Sequence, residues 1–468
     1  MSQDLAIGGN GARVDDAQSA STEDWSNRVF GPRGWRQHIW HLARMFDNYA
    51  ETDLSMFHRY GDIVRVRVPA HAIAFFRPRH IKHVLRSNVL NYPKSYHYDS
   101  LRPLLGDGIF VSEGDLWARQ RRLLAPEFRE KAVGRFVPSI VECADKLFRE
   151  WDEARGPIDV TDSMMRLTLW VVGRAMFRSE SFHEAEHIGH CLEVCLTHAT
   201  RQMLSMGLYK SWLPTHGNRK AKRAERELDD TVMQIIHRAR SANVSGQDVL
   251  SRMIQARDPE SGAAMSDKQL LDETKSLILA GHETTSLALS WCFYLLARHP
   301  DIDDRLHEEA SRVLGDRNPT AADLPSLPYT RMVFLETMRL YPPVPGVSRK
   351  VVQPDVIDGV RVEPGELVVI APYVTHRHPE YWVDPERFDP ERFAPERVND
   401  LEPYSYLPFL LGRRACLGEH FAMVEGIVLL AMLARRYKLT LLSSQPCRTR
   451  PISTLRFERP LMMKVSRR

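Results

Sequence analysis

Nowhere in the 468 residues does an apolar run approach the roughly 18 residues that a bilayer-spanning helix requires, so the sequence predicts no integral membrane anchor. Cysteine is scarce: six residues, at 143, 191, 195, 292, 416 and 447, with no C-x-x-C pair. That argues against a disulfide framework and for a reducing, cytoplasmic setting. Cys191 and Cys195 are spaced as neighbours on a helix face, but with no further Cys or His completing a tetrahedral set they read as ordinary helix positions. An excess of one charge is also missing: 64 Lys and Arg against 60 Asp and Glu leave a formal net charge of +4, too mild to argue for a nucleic-acid partner. There is no internal repeat and no low-complexity linker. The first 30 or so residues are polar, Gly-rich and acidic, with neither a basic start nor an apolar centre, so no secretory signal is read there. They are expected to form a flexible segment, 1–30, ahead of one catalytic unit, 31–468.

What the chain does have is apolar content, 43%, arranged largely with helical periodicity. Helices are predicted over Lys131 to Trp151, Ala221 to Ala242, Asp267 to His299 and Gly418 to Tyr437. Short strands are expected at Ile63 to Val68, at Ala72 to Phe76 and within Val356 to Ile370, where DGV and EPGEL supply turns. The fold class is mainly α with small β-sheets.

Four constellations carry chemistry. The first is Phe409-Leu410-Leu411-Gly412-Arg413-Arg414-Ala415-Cys416-Leu417-Gly418. A helix that starts just after Cys416 points unpaired N–H groups and its positive dipole end at the sulfur, which favours a thiolate. By itself the segment would equally suit an inert cysteine at a helix start. The second is Ala280-Gly281-His282-Glu283-Thr284-Thr285, inside the longest predicted helix. A mid-helix glycine costs around 1 kcal/mol relative to alanine and needs a reason, for which close backbone approach to a ligand is a candidate. Glu283 and Thr284 place an acid beside an alcohol, and heterolysis of an O–O bond needs two protons at its distal oxygen. The third is Glu336-Thr337-Met338-Arg339, a helical i, i+3 pair whose burial would call for a further partner. The fourth is Trp117-Ala118-Arg119-Gln120-Arg121, with Arg349 following Tyr341-Pro342-Pro343-Val344-Pro345.

Taken in chain order, Trp117, Glu283-Thr284, Glu336-Arg339, Arg349 and Cys416, the motifs resemble those of the cytochrome P450 family, over a stretch from about Trp35 to the C-terminus. The Cys416 segment is similar to its haem loop, F-x-x-G-x-R-x-C-x-G, except that the family usually has a small residue, often Gly, where Leu410 stands. The resemblance implies a single triangular domain with haem b between the long distal helix and the cysteine loop. Cys416 is then the axial iron ligand, and Phe409, Arg414 and Gly418 shape the loop. Trp117, Arg121, Arg349 and Arg414 meet haem propionates. Glu283 and Thr284 activate oxygen, and Glu336, Arg339 and Arg392 (in DPERFDPERF) form a structural cluster. His282 is read as facing away from the haem. Substrate contacts are expected at Leu277, Ala280, Val344, Val347 and Leu455 and around Leu204 to Pro214, with Met203, Met206 and Leu208 adding pliable surface.

The resemblance further implies a soluble bacterial-type monooxygenase, a monomer. It would insert one atom of dioxygen into a lipophilic small molecule by hydroxylation or epoxidation. Leu213 to Lys220 has the flavour of relatives that oxidise long lipophilic chains, but terpenoid, polyketide, steroid and acyl substrates stay open. About fifty residues follow Cys416, too few for a fused reductase. Electrons from NAD(P)H are therefore expected through a ferredoxin- or flavodoxin-type donor with its reductase, docking on a basic patch of Arg119, Arg122, Arg129, Lys131 and Arg413. A P450-type desaturase, coupling enzyme or peroxygenase is the first alternative reading. A non-catalytic haem protein and a helical protein without haem are the others.

Overall fold

The computed structural model describes residues 31, 32, 34–67, 71–177, 182–204, 212–241 and 248–468. Segment 1–30 and Met206 and Leu208 lie outside the described residues. Among those described, eleven α-helices have at least seven residues: α1 Gly34–Tyr60, α2 Gly114–Leu124, α3 Val137–Glu153, α4 Val160–Phe177, α5 Phe182–Leu204, α6 His216–Ser241, α7 Val249–Gln255, α8 Asp267–Leu296, α9 Pro300–Leu314, α10 Pro328–Leu340 and α11 Glu419–Arg436. The strands are short: β1 Ile63–Val66, β2 Ala72–Phe75, β3 Ile158–Asp159, β4 Val347–Lys350, β5 Asp355–Ile357, β6 Val360–Val362, β7 Leu367–Ile370, β8 Tyr437–Leu441, β9 Thr449–Pro451, β10 Leu455–Phe457 and β11 Met462–Arg467.

The reading of a mainly helical chain holds, with local differences. The helix expected from Lys131 begins in earnest at Val137, because Pro138 lacks an N–H and suits a first turn. The tract Val356 to Ile370 is three strands, parted where Asp358 and Gly359 both take positive φ, at 52° and 79°. The sheets run β1-β2-β7-β4, β3-β11-β8, β5-β6 and β9-β10. In the first, β2 and β7 pair in parallel with Phe75 opposite Ile370, and β4 lies antiparallel to β7 with Arg349 opposite Val368.

The core is built on α8, which packs against α4, α6, α10 and α11. Its start is capped by Ser266, whose hydroxyl accepts from the Gln269 N–H. Of its 30 residues 24 are buried; beyond the first turn only Ala280, Gly281 and Thr284 have surface uncovered. Three small residues are thus bared in the centre of an otherwise enclosed helix.

Trp291 of α8 stacks between Tyr341, ring centroids 4.0 Å apart, and Phe457 of β10, at 3.6 Å. Its indole N–H donates to the Leu455 carbonyl at 2.8 Å, fixing β10 against the long helix.

Candidate functional site

The cysteine turn is locally determined. The Cys416 N–H donates to the Phe409 carbonyl at 2.8 Å and the Ala415 N–H to the Gly412 carbonyl at 3.1 Å, closing a tight loop. Gly412 has φ of 72°, and a Cβ there would lie 2.1 Å from the Leu85 carbonyl oxygen, so only glycine fits. Leu410 also has positive φ, 56°. A side chain in that region costs on the order of 1–2 kcal/mol, which supplies a physical reason for the glycine usual at this position. Here the strain is offset by Leu410 packing on the cluster of Val84, Leu85 and Tyr92.

Cys416 is an exposed residue of this loop, with protein crowded around its thiol. Burial pushes its thiol up to about 11, opposed by a hydrogen bond from the Gly418 N–H and by the nearby Arg121 charge. Bound metal would remove that proton outright. A Cβ at Gly418 would meet no protein atom. Arg121 reaches the loop from α2, donating to the Ala415 carbonyl at 3.0 Å.

Beside the loop three cations crowd together. Arg414 lies 3.6 Å over the Trp117 ring and pairs with Glu113. Burial, and repulsion from Arg349 and Arg413 against the attraction of Glu113, lower it to about 10. Lys94 is held down to about 7 by burial first and by the Arg414 and Arg349 charges, with Glu113 opposing. Arg349 is buried, and its one side-chain hydrogen bond among the described residues goes to the carbonyl of Ser348. One carboxylate among three cations is a poor electrostatic balance, and two anionic groups would correct it. Lys94 also ties the cluster to α8, since it donates to the Ile109 carbonyl at 3.2 Å while the Ile109 N–H donates to Glu273 at 2.9 Å. No sequence motif singled out Lys94; its place as the isolated bridge partner of Arg349 comes from the fold.

On α8, Thr284 donates to the Ala280 carbonyl at 2.9 Å, the helical back-bond of a threonine in mid-helix. Glu283 is buried and turned toward β10, where Thr454 donates to it at 2.6 Å and Arg456 through Nε at 2.8 Å. These two partners were also invisible in the sequence. His282 is buried, with Nδ1 2.8 Å from the Ile278 carbonyl, and burial lowers its pKa. The mid-helix glycine also has a packing reason: a Cβ on Gly281 would come 3.1 Å from Val172 of α4, so the glycine lets two helices cross closely.

Glu336, Arg339 and Arg392 meet in the core. Arg339 donates to Glu336 at 2.6 and 2.8 Å, and Arg392 donates to it at 3.3 Å. Arg339 also straps the following loop through the carbonyls of His376, Pro385 and Arg387, at 2.8, 2.7 and 3.0 Å.

Two expectations change. Leu455 is wholly covered in a cluster with Tyr49 and Tyr373, and its N–H and carbonyl are taken by Pro343 and Trp291, so its side chain does not face a substrate. Leu277 and Val347 are nearly as covered, while Val344 is half-buried and Ala280 exposed. The basic patch is also smaller than expected. Asp258 lies 3.5 Å from Arg119 and 3.4 Å from Arg122, and Glu260 2.8 Å from Arg122, so those two charges are compensated. Arg129, Lys131 and Arg413 are exposed and form no ion pair with a described residue.

The donor set fits haem: a thiol at a glycine-built turn, cations short of anions beside an aromatic ring, and a strip of small residues bared on an enclosed helix. The family model described as Cytochrome P450 matches residues 31–465. Cyclooctatin synthase of Streptomyces melanosporofaciens is 33% identical over 448 residues, 95% of this chain and 96% of its own. Cyclooctat-9-en-7-ol 5-monooxygenase of the same organism is 33% identical over 384 residues, 81% and 83% of the two chains. The crystal structure of the cytochrome P450DA heme domain superimposes with a TM-score of 0.86 at 25% identity, covering 94% of this chain and 98% of that one. No described helix is long and apolar enough to cross a membrane. A match spanning nearly all of the sequence, with one-third identity to relatives over most of their length, makes this chain a member of the cytochrome P450 family, a haem-thiolate monooxygenase.

Proposed function

We propose that the protein inserts one oxygen atom from dioxygen into a lipophilic small molecule, by hydroxylation or epoxidation. It works as a cytoplasmic monomer whose electrons come from NAD(P)H through a separate ferredoxin- or flavodoxin-type donor and its reductase. The observation that carries this is the bared strip Ala280, Gly281 and Thr284 on an otherwise enclosed helix, with the acid Glu283 beside the alcohol.

Cys416 would hold the iron, with Arg349, Arg414, Lys94 and Trp117 placed for the propionates and Arg121 bracing the cysteine loop. Haem, when bound, supplies the iron at which dioxygen is activated, with the thiolate donating electron density. Thr284, bonded back to Ala280, keeps its hydroxyl oxygen at the bared strip as an acceptor, and a turn of the hydroxyl away from the Ala280 carbonyl would free its one proton to donate there. Glu283 stands one residue behind, its carboxylate held by Arg456, whose side chain is 33% exposed. Release from Arg456 would free this carboxylate to take up and pass a proton toward the strip. The presence of this acid-alcohol pair favours dioxygen with reduction over peroxide use.

The bared surface offers a substrate no charged anchor, and Ala280 and Val344 are apolar. The relative named for cyclooctat-9-en-7-ol acts, by its name, on an unsaturated alcohol. Within the lipophilic class, that supports an alkene-bearing compound with few polar groups. The test is turnover with a surrogate ferredoxin and reductase under isotopically labelled dioxygen, after a screen of lipophilic compounds for the low-spin to high-spin shift. Incorporation of one labelled atom is expected, with Cys416→Ala abolishing the red-shifted carbon monoxide band. Thr284→Ala should keep that band and divert reducing equivalents to hydrogen peroxide; unchanged coupling would remove Thr284 from its role.

A further inference from the structure

The seam between α5 and α6 gathers three side chains that the monooxygenase chemistry does not use. His187 and Cys191 lie one turn apart on α5 and so share a face, and Glu227 comes from α6 opposite. The His187 Nε2 is 3.9 Å from the Cys191 sulfur, and one donor atom from each of the three residues lies within 4.8 Å of the other two. Metal–ligand bonds of about 2.0–2.3 Å in a tetrahedral zinc site put pairs of ligand atoms roughly 3.3–3.8 Å apart. Closing the trio on one ion therefore needs shifts of about an ångström or less, within the reach of side-chain rotation.

The donors differ in exposure as a metal site requires. Cys191 is wholly covered in the seam, while His187 and Glu227 are half-buried, which leaves a corner open to water as a fourth ligand. Glu227 now accepts from Arg223 at 2.7 Å, but Arg223 is 81% exposed and sits four residues away on the same helix. Such a pair is worth about 0.3–0.5 kcal/mol, too little to keep the carboxylate from a divalent ion. Helical spacing points Cys191 equally toward Cys195. The fold chooses His187 instead, because the Cys195 thiol is turned to the Ala221 carbonyl at 3.8 Å.

We propose that His187, Cys191 and Glu227 form a site for a divalent ion of the zinc class, clamping α5 to α6. A thiolate with an imidazole selects such an ion over magnesium or calcium, which prefer all-oxygen ligands. Binding replaces the Cys191 S–H bond with a sulfur–metal bond and releases one proton to solvent, with no change of oxidation state. Lys275 of α8 pairs with Asp229 at 2.6 Å, so α6 is already tied to the long helix and the ion would extend that tie to α5.

The haem-loaded full chain, stripped with a chelator, is dialysed to equilibrium against zinc and its metal content measured, with X-ray absorption at the zinc edge reading the ligands. The unmodified protein should take up one equivalent with a single sulfur neighbour at about 2.3 Å. His187→Ala and Cys191→Ser should lose that equivalent, Glu227→Gln should bind at least about tenfold more weakly, and Cys195→Ser should behave as the unmodified protein. The carbon monoxide band checks that each variant is folded, and the half-buried His187 gives a variant that leaves the covered seam intact. Zinc uptake equal in the unmodified protein and His187→Ala, or an absorption edge without sulfur, would overturn the proposal.

Discussion

Glu336→Gln tests the buried ion cluster most directly. The carboxylate accepts from Arg339 at 2.6 and 2.8 Å, from Arg392 at 3.3 Å and from the Asp389 N–H at 2.9 Å. Glutamine keeps the shape but not the charge, and leaves two guanidinium groups, with 0% and 7% of their side chains exposed, without a counter-ion. Breaking a buried pair from one side costs about 3–5 kcal/mol, a large part of a typical total of roughly 5–15 kcal/mol. With an unfolding entropy of roughly 2.1 cal/mol/K per residue, a chain of this length should lose about 3–5 °C in Tm, so isothermal urea unfolding followed by tryptophan fluorescence is the sharper assay. Replacing the whole pair, as Glu336→Leu with Arg339→Met, should give no rescue. Arg339 also serves the carbonyls of His376, Pro385 and Arg387, and each one left buried and unpaired costs about 1–3 kcal/mol. A Glu336→Gln variant within about 1 kcal/mol of the unmodified protein, or a double variant as stable as it, would refute this account.

Gly412→Ala should disrupt the cysteine loop, since its Cβ would lie 2.1 Å from the Leu85 carbonyl oxygen; haem uptake during refolding is the readout, and normal uptake would show that the loop has room. Arg349→Leu removes one of three crowded cations, so haem should dissociate faster to an acceptor protein such as apomyoglobin, while Lys94, relieved of repulsion, should titrate at higher pH. Glu273 predicts a pH effect. Burial first, then Asp272, raise its carboxyl from 4.5 to about 8 against the hydrogen bond from Ile109. The folded chain holds a proton there that the unfolded chain releases, so this group's stabilisation, complete below about pH 4.5, is lost as pH rises through about 8. Glu273→Gln should flatten that slope in urea unfolding at a series of pH values, and an unchanged slope would reject the assignment. Lys131→Glu with Arg413→Glu should slow reduction by an acidic ferredoxin at low salt and lessen its salt dependence, whereas Arg119→Glu would also break a contact with Asp258.

Arg392, Arg121 and Arg349 entered only through the resemblance, whereas the parts legible from local pattern alone share one property: their partners lie within a turn or two along the chain. The cysteine loop, the acid-alcohol pair of α8 and the Glu336-Arg339 pair are of this kind, because helix geometry and the needs of a tight turn fix them locally. The strands β8 to β11 escaped notice because they are only three to six residues long, too short for a periodicity to stand out from its surroundings. The packing reason for Gly281 was not legible because its constraint, Val172, lies on another helix.

What the sequence by itself determined is the chemistry: a thiol at a helix start, an alcohol beside an acid, and helices long enough to enclose them. The tertiary structure alone decided which charges answer one another. Glu283 finds Thr454 and Arg456, 171 and 173 residues away, and Arg122 finds Asp258, 136 residues away. Lys94 joins Arg349 and Arg414 by the same kind of long closure. Coulomb and hydrogen-bond energies depend on distance in space, and a chain carries no local mark of a partner that only folding brings near.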